Sequence, residues 1–233
     1  MRERKIRQRM IHMLEQAEAV IFDLDGTLVD SMWVWTDIDI DFLGRYGYAP
    51  TPELTVAIEG MGFTETAVYF QECFSLPLTI EEIKEEWNRM ALGVYGTRVP
   101  MKPGAAAFLR YLRDNDYPVA IASSNSQELI RAALANNQVD DCFDAIVTSC
   151  EVAKGKPSPD VYLAAAEKLG VRPERCLVFE DVPMGVLAGE NAGMRVCAME
   201  DDFSSARKEE VRRLADYYIR SYEEILDGSY EVL

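Results

Sequence analysis

Short, almost purely apolar or β-branched runs recur along the chain, at Ala19–Phe22, Val119–Ala122, Ala145–Thr148, Cys176–Phe179, Arg195–Ala198 and Tyr217–Ile219. They are too short for helices and too uniformly apolar for strands with one wet face. They are therefore predicted as strands covered on both sides, as in a parallel sheet. Stretches with helical spacing separate most of them. The punctuation agrees with this alternation. Pro103-Gly104 and Pro183 open helices, Ser158-Pro159 reads as N-cap and first helical residue, and Gly170 and Gly193 close helices. Asn125 with Glu128 resembles a capping box at another helix start.

Residues 32 to about 100 follow a different pattern, without a convincing strand. Helices are predicted at Met32–Tyr46, at about Glu53–Cys73 and at Ile80–Leu92, the first with Trp35, Ile38 and Phe42 on one face and Asp37 and Asp41 on another. One strand, then a helical insert, then the remaining strand–helix units describes an α/β core interrupted by a cap. The expected division is a basic extension over 1–16, a core over 17–31 and 101–233, and a cap over 32–100.

Charge narrows the function. The 233 residues carry 24 basic and 40 acidic side chains, a net of −16, which argues against a nucleic-acid polymer or an anionic membrane surface as partner. No run approaches the roughly 20 apolar residues of a membrane helix, and the first 16 residues do not read as a secretory signal. Five cysteines without a CxxC pair are expected to be reduced, mostly buried thiols of a cytoplasmic protein. His12, the sole histidine, lies outside every motif and is read as structural or exposed.

Four groups of polar residues stand at the C-terminal ends of four predicted strands, the edge where open parallel sheets bind ligands. Asp23 and Asp25, two apart on extended chain, face the same side; one carboxylate can attack while its neighbour moves a proton. Ser123-Ser124-Asn125 precedes a helix, where a hydroxyl and free backbone N–H groups suit a phosphate. Lys156, in a proline-stiffened loop, supplies a fixed positive charge. Glu180-Asp181 suits a hard divalent cation. Singly these read as a turn, a helix cap, a solvated lysine and a surface acidic pair. Their joint occurrence, in this order and each after an apolar strand, does not.

With the motifs FDLDGTLVDS (22–31), IASSN (121–125), KGKPSPDVY (154–162) and VFEDVPMGVLAGENAGM (178–194), the chain resembles the haloacid dehalogenase superfamily over about 19–226. Within it, the resemblance is to the small phosphatases and β-phosphoglucomutase with a helical cap after the first motif. It implies a Rossmann-like three-layer core and a role for each matching residue. Asp23 would be the nucleophile that forms an aspartyl-phosphate, and Asp25 the general acid and then base. Ser123 and Lys156 would hold the phosphoryl oxygens, helped by backbone N–H groups near Ser124 and Asn125. Mg²⁺ would sit on Asp23, the backbone carbonyl of Asp25, Asp181 and Glu180, the last directly or through water.

Asp25 points to a phosphatase or phosphomutase, because the family's ATPases place Thr there and its dehalogenases lack the acid. At the cap positions where β-phosphoglucomutase would carry His and Arg, this chain has Trp35 and Phe63. The expected function is thus Mg²⁺-dependent hydrolysis of a small phosphorylated metabolite. A phosphosugar mutase and a catalytically idle phospho-ligand-binding protein are the alternatives, and a monomer is the default. Trp33, Trp35 and Phe63 are either cap core or walls of the leaving-group pocket.

Overall fold

A computed structural model describes residues 13–59 and 61–233. The expected basic extension lies outside the described residues as far as residue 12, and so does His12. Its last part is not an extension: Met13 and Leu14 are buried in the core with Ala17, and Arg195 Nη1 donates to the Met13 carbonyl at 3.2 Å.

The strands are β1 (Ala19–Phe22), β2 (Val119–Ser123), β3 (Ala145–Thr148), β4 (Cys176–Glu180), β5 (Arg195–Met199), β6 (Tyr217–Ile219) and β7 (Glu231–Val232). They form one sheet in the order β3-β2-β1-β4-β5-β6-β7. β7 runs antiparallel to β6 and the others are parallel. Every residue of β1, β2 and β4 is buried, which is why their sequences lack alternation. β7 was not foreseen, because two residues carry no period.

The helices are α1 (Met32–Gly44), α2 (Pro52–Ile58), α3 (Phe63–Cys73), α4 (Ile80–Tyr95), α5 (Ala105–Asp114), α6 (Gln127–Asn136), α7 (Asp160–Leu169), α8 (Pro183–Asn191), α9 (Lys208–Leu214) and α10 (Glu223–Asp227). The side-chain period of two divides the core. Val20 and Phe22 of β1 pack with Phe108, Leu112 and Ile130 from α5 and α6. Ala19 and Ile21 pack on the other face with Val161, Val186 and Val211 from α7, α8 and α9. The sheet between two helical layers is the expected α/β sandwich.

Between β1 and α5 lies the helical insert, α1 to α4, whose interior is aromatic: Trp87 meets Phe70 at 5.0 Å and Phe42 at 5.7 Å between ring centroids. The single helix expected over about 53–73 is two. The chain leaves helical geometry at Glu59 (ψ 127°), and α3 begins only after Gly62 in an extended conformation. The interruption lies against the core. A Cβ on Gly62 would stand 2.8 Å from that of Ser149, and Phe63 N donates to the Ser124 carbonyl at 3.1 Å.

Two other local expectations shift by one residue. Ser126, not Asn125, caps α6, its hydroxyl accepting from Leu129 N. Pro159, not Ser158, occupies the N-cap of α7, while the Ser158 hydroxyl donates to the Asp160 carboxylate at 2.7 Å. Gly170 closes α7 at φ +69° as expected.

Candidate active site

The register brings the four polar groups together. Phe22 pairs with Ile121 of β2 and Phe179 of β4, and Ser123 pairs with Thr148 of β3. Asp23, Ser123, Glu180-Asp181 and the loop carrying Lys156 therefore emerge on one edge of the sheet. Below them the rings of Phe22 and Phe179 stack at 4.9 Å, and the Tyr222 hydroxyl donates to the Thr27 carbonyl at 3.2 Å. This packing fixes the turn after β1.

At that turn Gly26 has φ +79°, and a Cβ there would collide with the Asp181 carboxylate. Only glycine permits both the turn and the close approach. Thr27 Oγ1 donates to Asp181 Oδ1 at 2.8 Å. Asp181 Oδ2 is buried and has no hydrogen-bond partner.

Lys156 joins two carboxylates, donating to Asp23 Oδ1 at 2.6 Å and to Glu180 Oε1 at 2.5 Å. Glu180 is fully buried and is bound on every side. Tyr162 OH donates to Oε1 at 2.8 Å, and the backbone N–H groups of Asp181 and Val182 donate to Oε2. Gly185 lies so close to this carboxylate that a Cβ would overlap it. Asp23, Glu180 and Asp181 offer oxygens within 4.8 Å of one another. Burial pushes the Asp23 carboxyl up to about 8 against the pull of Lys156, with Glu180 and Asp25 adding to the rise. Burial, then Glu180 and Asp23, likewise raises Asp181 well above the usual carboxylate range. Crowded acids with one lysine between them, and one oxygen wholly unpartnered, make a donor set that suits a divalent cation.

Asp25 is held separately. Ser31 Oγ donates to Oδ1 at 2.6 Å, the Tyr95 hydroxyl also donates to Oδ1, and Asn125 Nδ2 donates to Oδ2 at 2.9 Å. The shift of the α6 cap to Ser126 frees the Asn125 side chain for this bond. Its backbone N–H is spent on Ser123 Oγ at 3.1 Å. Ser124 Oγ stands 3.5 Å from Ser149 Oγ.

Asp23, Asp25, Ser123, Ser124, Asn125, Lys156, Glu180 and Asp181 line one cavity of about 230 Å³. Its other wall comes from the helical insert. Trp35 and Phe63 line it, their rings 6.0 Å apart. Trp33 does not. It lines a separate surface groove, donates from Nε1 to the Asp30 carbonyl at 3.0 Å, and lies under the Arg98 guanidinium. Motif reading gave no role to Ser31, the last residue of the first motif, and missed Tyr95 and Asp39. Tyr95 continues the four-residue stripe Ile83, Trp87, Ala91, which reads as packing alone; the spacing carries no sign of where its hydroxyl goes. Asp39 lines the same cavity from α1.

With this geometry in hand, comparison identifies the chain. It belongs to the haloacid dehalogenase-like hydrolase family, which it matches over residues 20–199. It is 34% identical to hexitol phosphatase A of Escherichia coli (strain K12) over 90% of this chain and 94% of that protein. It is 36% identical to the bifunctional riboflavin kinase/FMN phosphatase of Arabidopsis thaliana over 78% of this chain. The match spans about half (48%) of that larger protein. Among solved structures, CbbY from Rhodobacter sphaeroides in complex with phosphate superposes with a TM-score of 0.80 at 25% identity, covering 90% of this chain and 96% of the other. The chain is a phosphoric monoester hydrolase of this superfamily. Among the described residues, no helix is long and apolar enough to cross a membrane.

Proposed function

We propose that the chain is a Mg²⁺-dependent phosphatase that hydrolyses a small phosphate monoester through an aspartyl-phosphate on Asp23. The observation that carries this reading is the placement of Asp23 beside Lys156 and in one acidic cluster with Asp181, whose Oδ2 is unpartnered. In the first step an Asp23 oxygen bonds to phosphorus as the bond to the leaving oxygen breaks, and Asp25 gives that oxygen a proton. In the second step Asp25 takes a proton from water as the water oxygen bonds to phosphorus, releasing phosphate and restoring Asp23. Ser123 and Lys156 hold the phosphoryl oxygens, with Ser124 and the turn through Asn125 beside them. Asp23, the backbone carbonyl of Asp25, and Asp181 with Glu180 would hold Mg²⁺, which when bound supplies positive charge at the transferring group.

Mutase chemistry needs a cationic grip on a second phosphate. Among the described residues lining the cavity, Lys156 is the one cation, and it belongs to the phosphoryl end. A merely binding protein has no need of Asp23, Asp25, Lys156 and Asp181 together.

The test is phosphate release from a panel of phosphomonoesters, with and without Mg²⁺, on wild type and Asp23→Asn. The expected result is release that requires Mg²⁺ and falls by at least about 10³-fold in the variant, the scale of losing a nucleophile. Release that survives in Asp23→Asn, or that ignores chelation, would overturn the mechanism.

A further inference from the structure

The part of the cavity that faces the leaving group has an unusual balance of groups. Its walls are largely apolar, with Trp35, Phe63 and Ile58. Into them α1 sets Asp39, a half-buried carboxylate that has no hydrogen-bond or ion-pair partner among the described residues. Burial alone raises it to about 7. The second acid on this wall, Glu59, is ion-paired through Oε2 with Arg207 at 2.5 Å, and its buried Oε1 has no hydrogen-bond partner among the described residues. Thr55 and Thr66 add hydroxyls, each both donor and acceptor.

We propose that Asp39 is a specificity-determining residue that accepts a hydrogen bond from a hydroxyl of an uncharged, polyhydroxylated leaving group, so that the preferred substrates are alditol or sugar monophosphates. This deepens the phosphatase reading and rests on it. An unpartnered carboxylate in an apolar wall is costly until something donates to it. A hydroxyl meets that need, and the apolar rings suit the C–H faces of a polyol. A second phosphate or a carboxylate on the leaving group would meet Asp39 with like charge, and the cation next to this wall, Arg207, is already paired with Glu59 and Glu210. An ammonium group is the competing partner for a carboxylate. Thr55 and Thr66, which line the same cavity and offer hydroxyls but no second anion, favour a hydroxyl instead.

The experiment compares kcat/KM for four esters: a hexitol monophosphate, the matching bisphosphate, phosphoethanolamine, and p-nitrophenyl phosphate, which has no hydroxyl to offer. Wild type is expected to favour the hexitol monophosphate over the bisphosphate and phosphoethanolamine. The ratio of hexitol monophosphate to p-nitrophenyl phosphate is expected to fall about ten- to a hundredfold in Asp39→Leu, the worth of one hydrogen bond to a charged group. A smaller fall is expected in Asp39→Asn, which keeps an acceptor. Turnover of p-nitrophenyl phosphate by the same preparations reports that the variants are folded. A ratio unchanged in both variants, or a wild-type preference for phosphoethanolamine, overturns the inference. The two failures are distinct: turnover surviving in Asp23→Asn condemns the nucleophile, and an unmoved Asp39 ratio condemns only the leaving-group reading.

Discussion

The floor and the roof of the cavity are built on opposite plans. On the floor, at the strand ends, nearly every polar group has its partners. Glu180 is held by Lys156, Tyr162 and two backbone N–H groups, Asp25 by three side chains, and Asp181 Oδ2 is the exception. On the roof, drawn from the insert, rings meet edge to face and a carboxylate stands alone. A rigid, satisfied floor suits the one group that every substrate shares, the phosphoryl. A roof of shape with few polar contacts suits the part that differs between substrates. Preorganised charge is worth most where charge develops in the reaction, and apolar walls discriminate only modestly.

The largest effect after loss of Asp23 is expected from the floor. Lys156→Ala removes the cation between two buried acids, so kcat/KM should fall about 10²–10³-fold for every ester. Inorganic phosphate should also bind more weakly as a product inhibitor. If the loss varied from ester to ester, floor and roof would not be separate in function. Gly185→Ala comes next. Its methyl group would overlap a carboxylate fixed on all sides, and overpacking of that kind costs about 1–3 kcal/mol, readable as a lower midpoint in denaturant. Activity should fall in parallel for all esters as Lys156 loses its anchor.

A roof change should behave differently. Phe63→Ala should alter KM by about three- to tenfold for some leaving groups and leave others nearly alone, since removing one pocket wall is worth about 1–3 kcal/mol at most. The smallest effect lies far from the cavity. Hydrogen bonds from Arg89, then Arg45, hold the Glu86 carboxyl down at about 2. A lowered pKa means that this stabilisation is present above the ordinary glutamate range, near 4.5, and is lost as pH falls from there toward 2. Arg89 is exposed and Arg45 and Glu86 are partly so, and solvent screens the cluster, so Glu86→Gln should cost about 0.2–1 kcal/mol at pH 7 and almost nothing near pH 2. Denaturant midpoints measured at both pH values check the sign.

The floor is legible in the sequence because its chemistry follows the strands. An apolar run followed at once by Asp23, Ser123 or Glu180 announces both the element and the edge where it ends. β1 and β3 have the bounds read from their apolar runs. The roof was less legible for a physical reason. Its helices bury one face against each other and another against the cavity, and both faces are apolar, so Trp33 and Trp35 look alike until the helix is placed. The break between α2 and α3 depends on Gly62 meeting Ser149, a contact between residues far apart in the chain. Asp39 reads as one more acid on an acidic helix, because its isolation is a property of the packing around it. The side-chain role of Asn125 was hidden by a cap that fits Ser126 equally well in sequence.

The insert leaves and rejoins the core through two segments that are bound to each other. Asp30 N donates to the Pro100 carbonyl and Lys102 N to the Leu28 carbonyl, both at 3.0 Å, with Val29 and Met101 bridged antiparallel between them. Lys102 is further fixed by its ion pair with Asp201 at 2.5 Å. The consequence is mechanical. Two crossings laced into one ribbon leave the insert a single line to turn about. A swing would bend the ribbon across its width and keep its bonds, whereas a slide or a twist would have to unlace it.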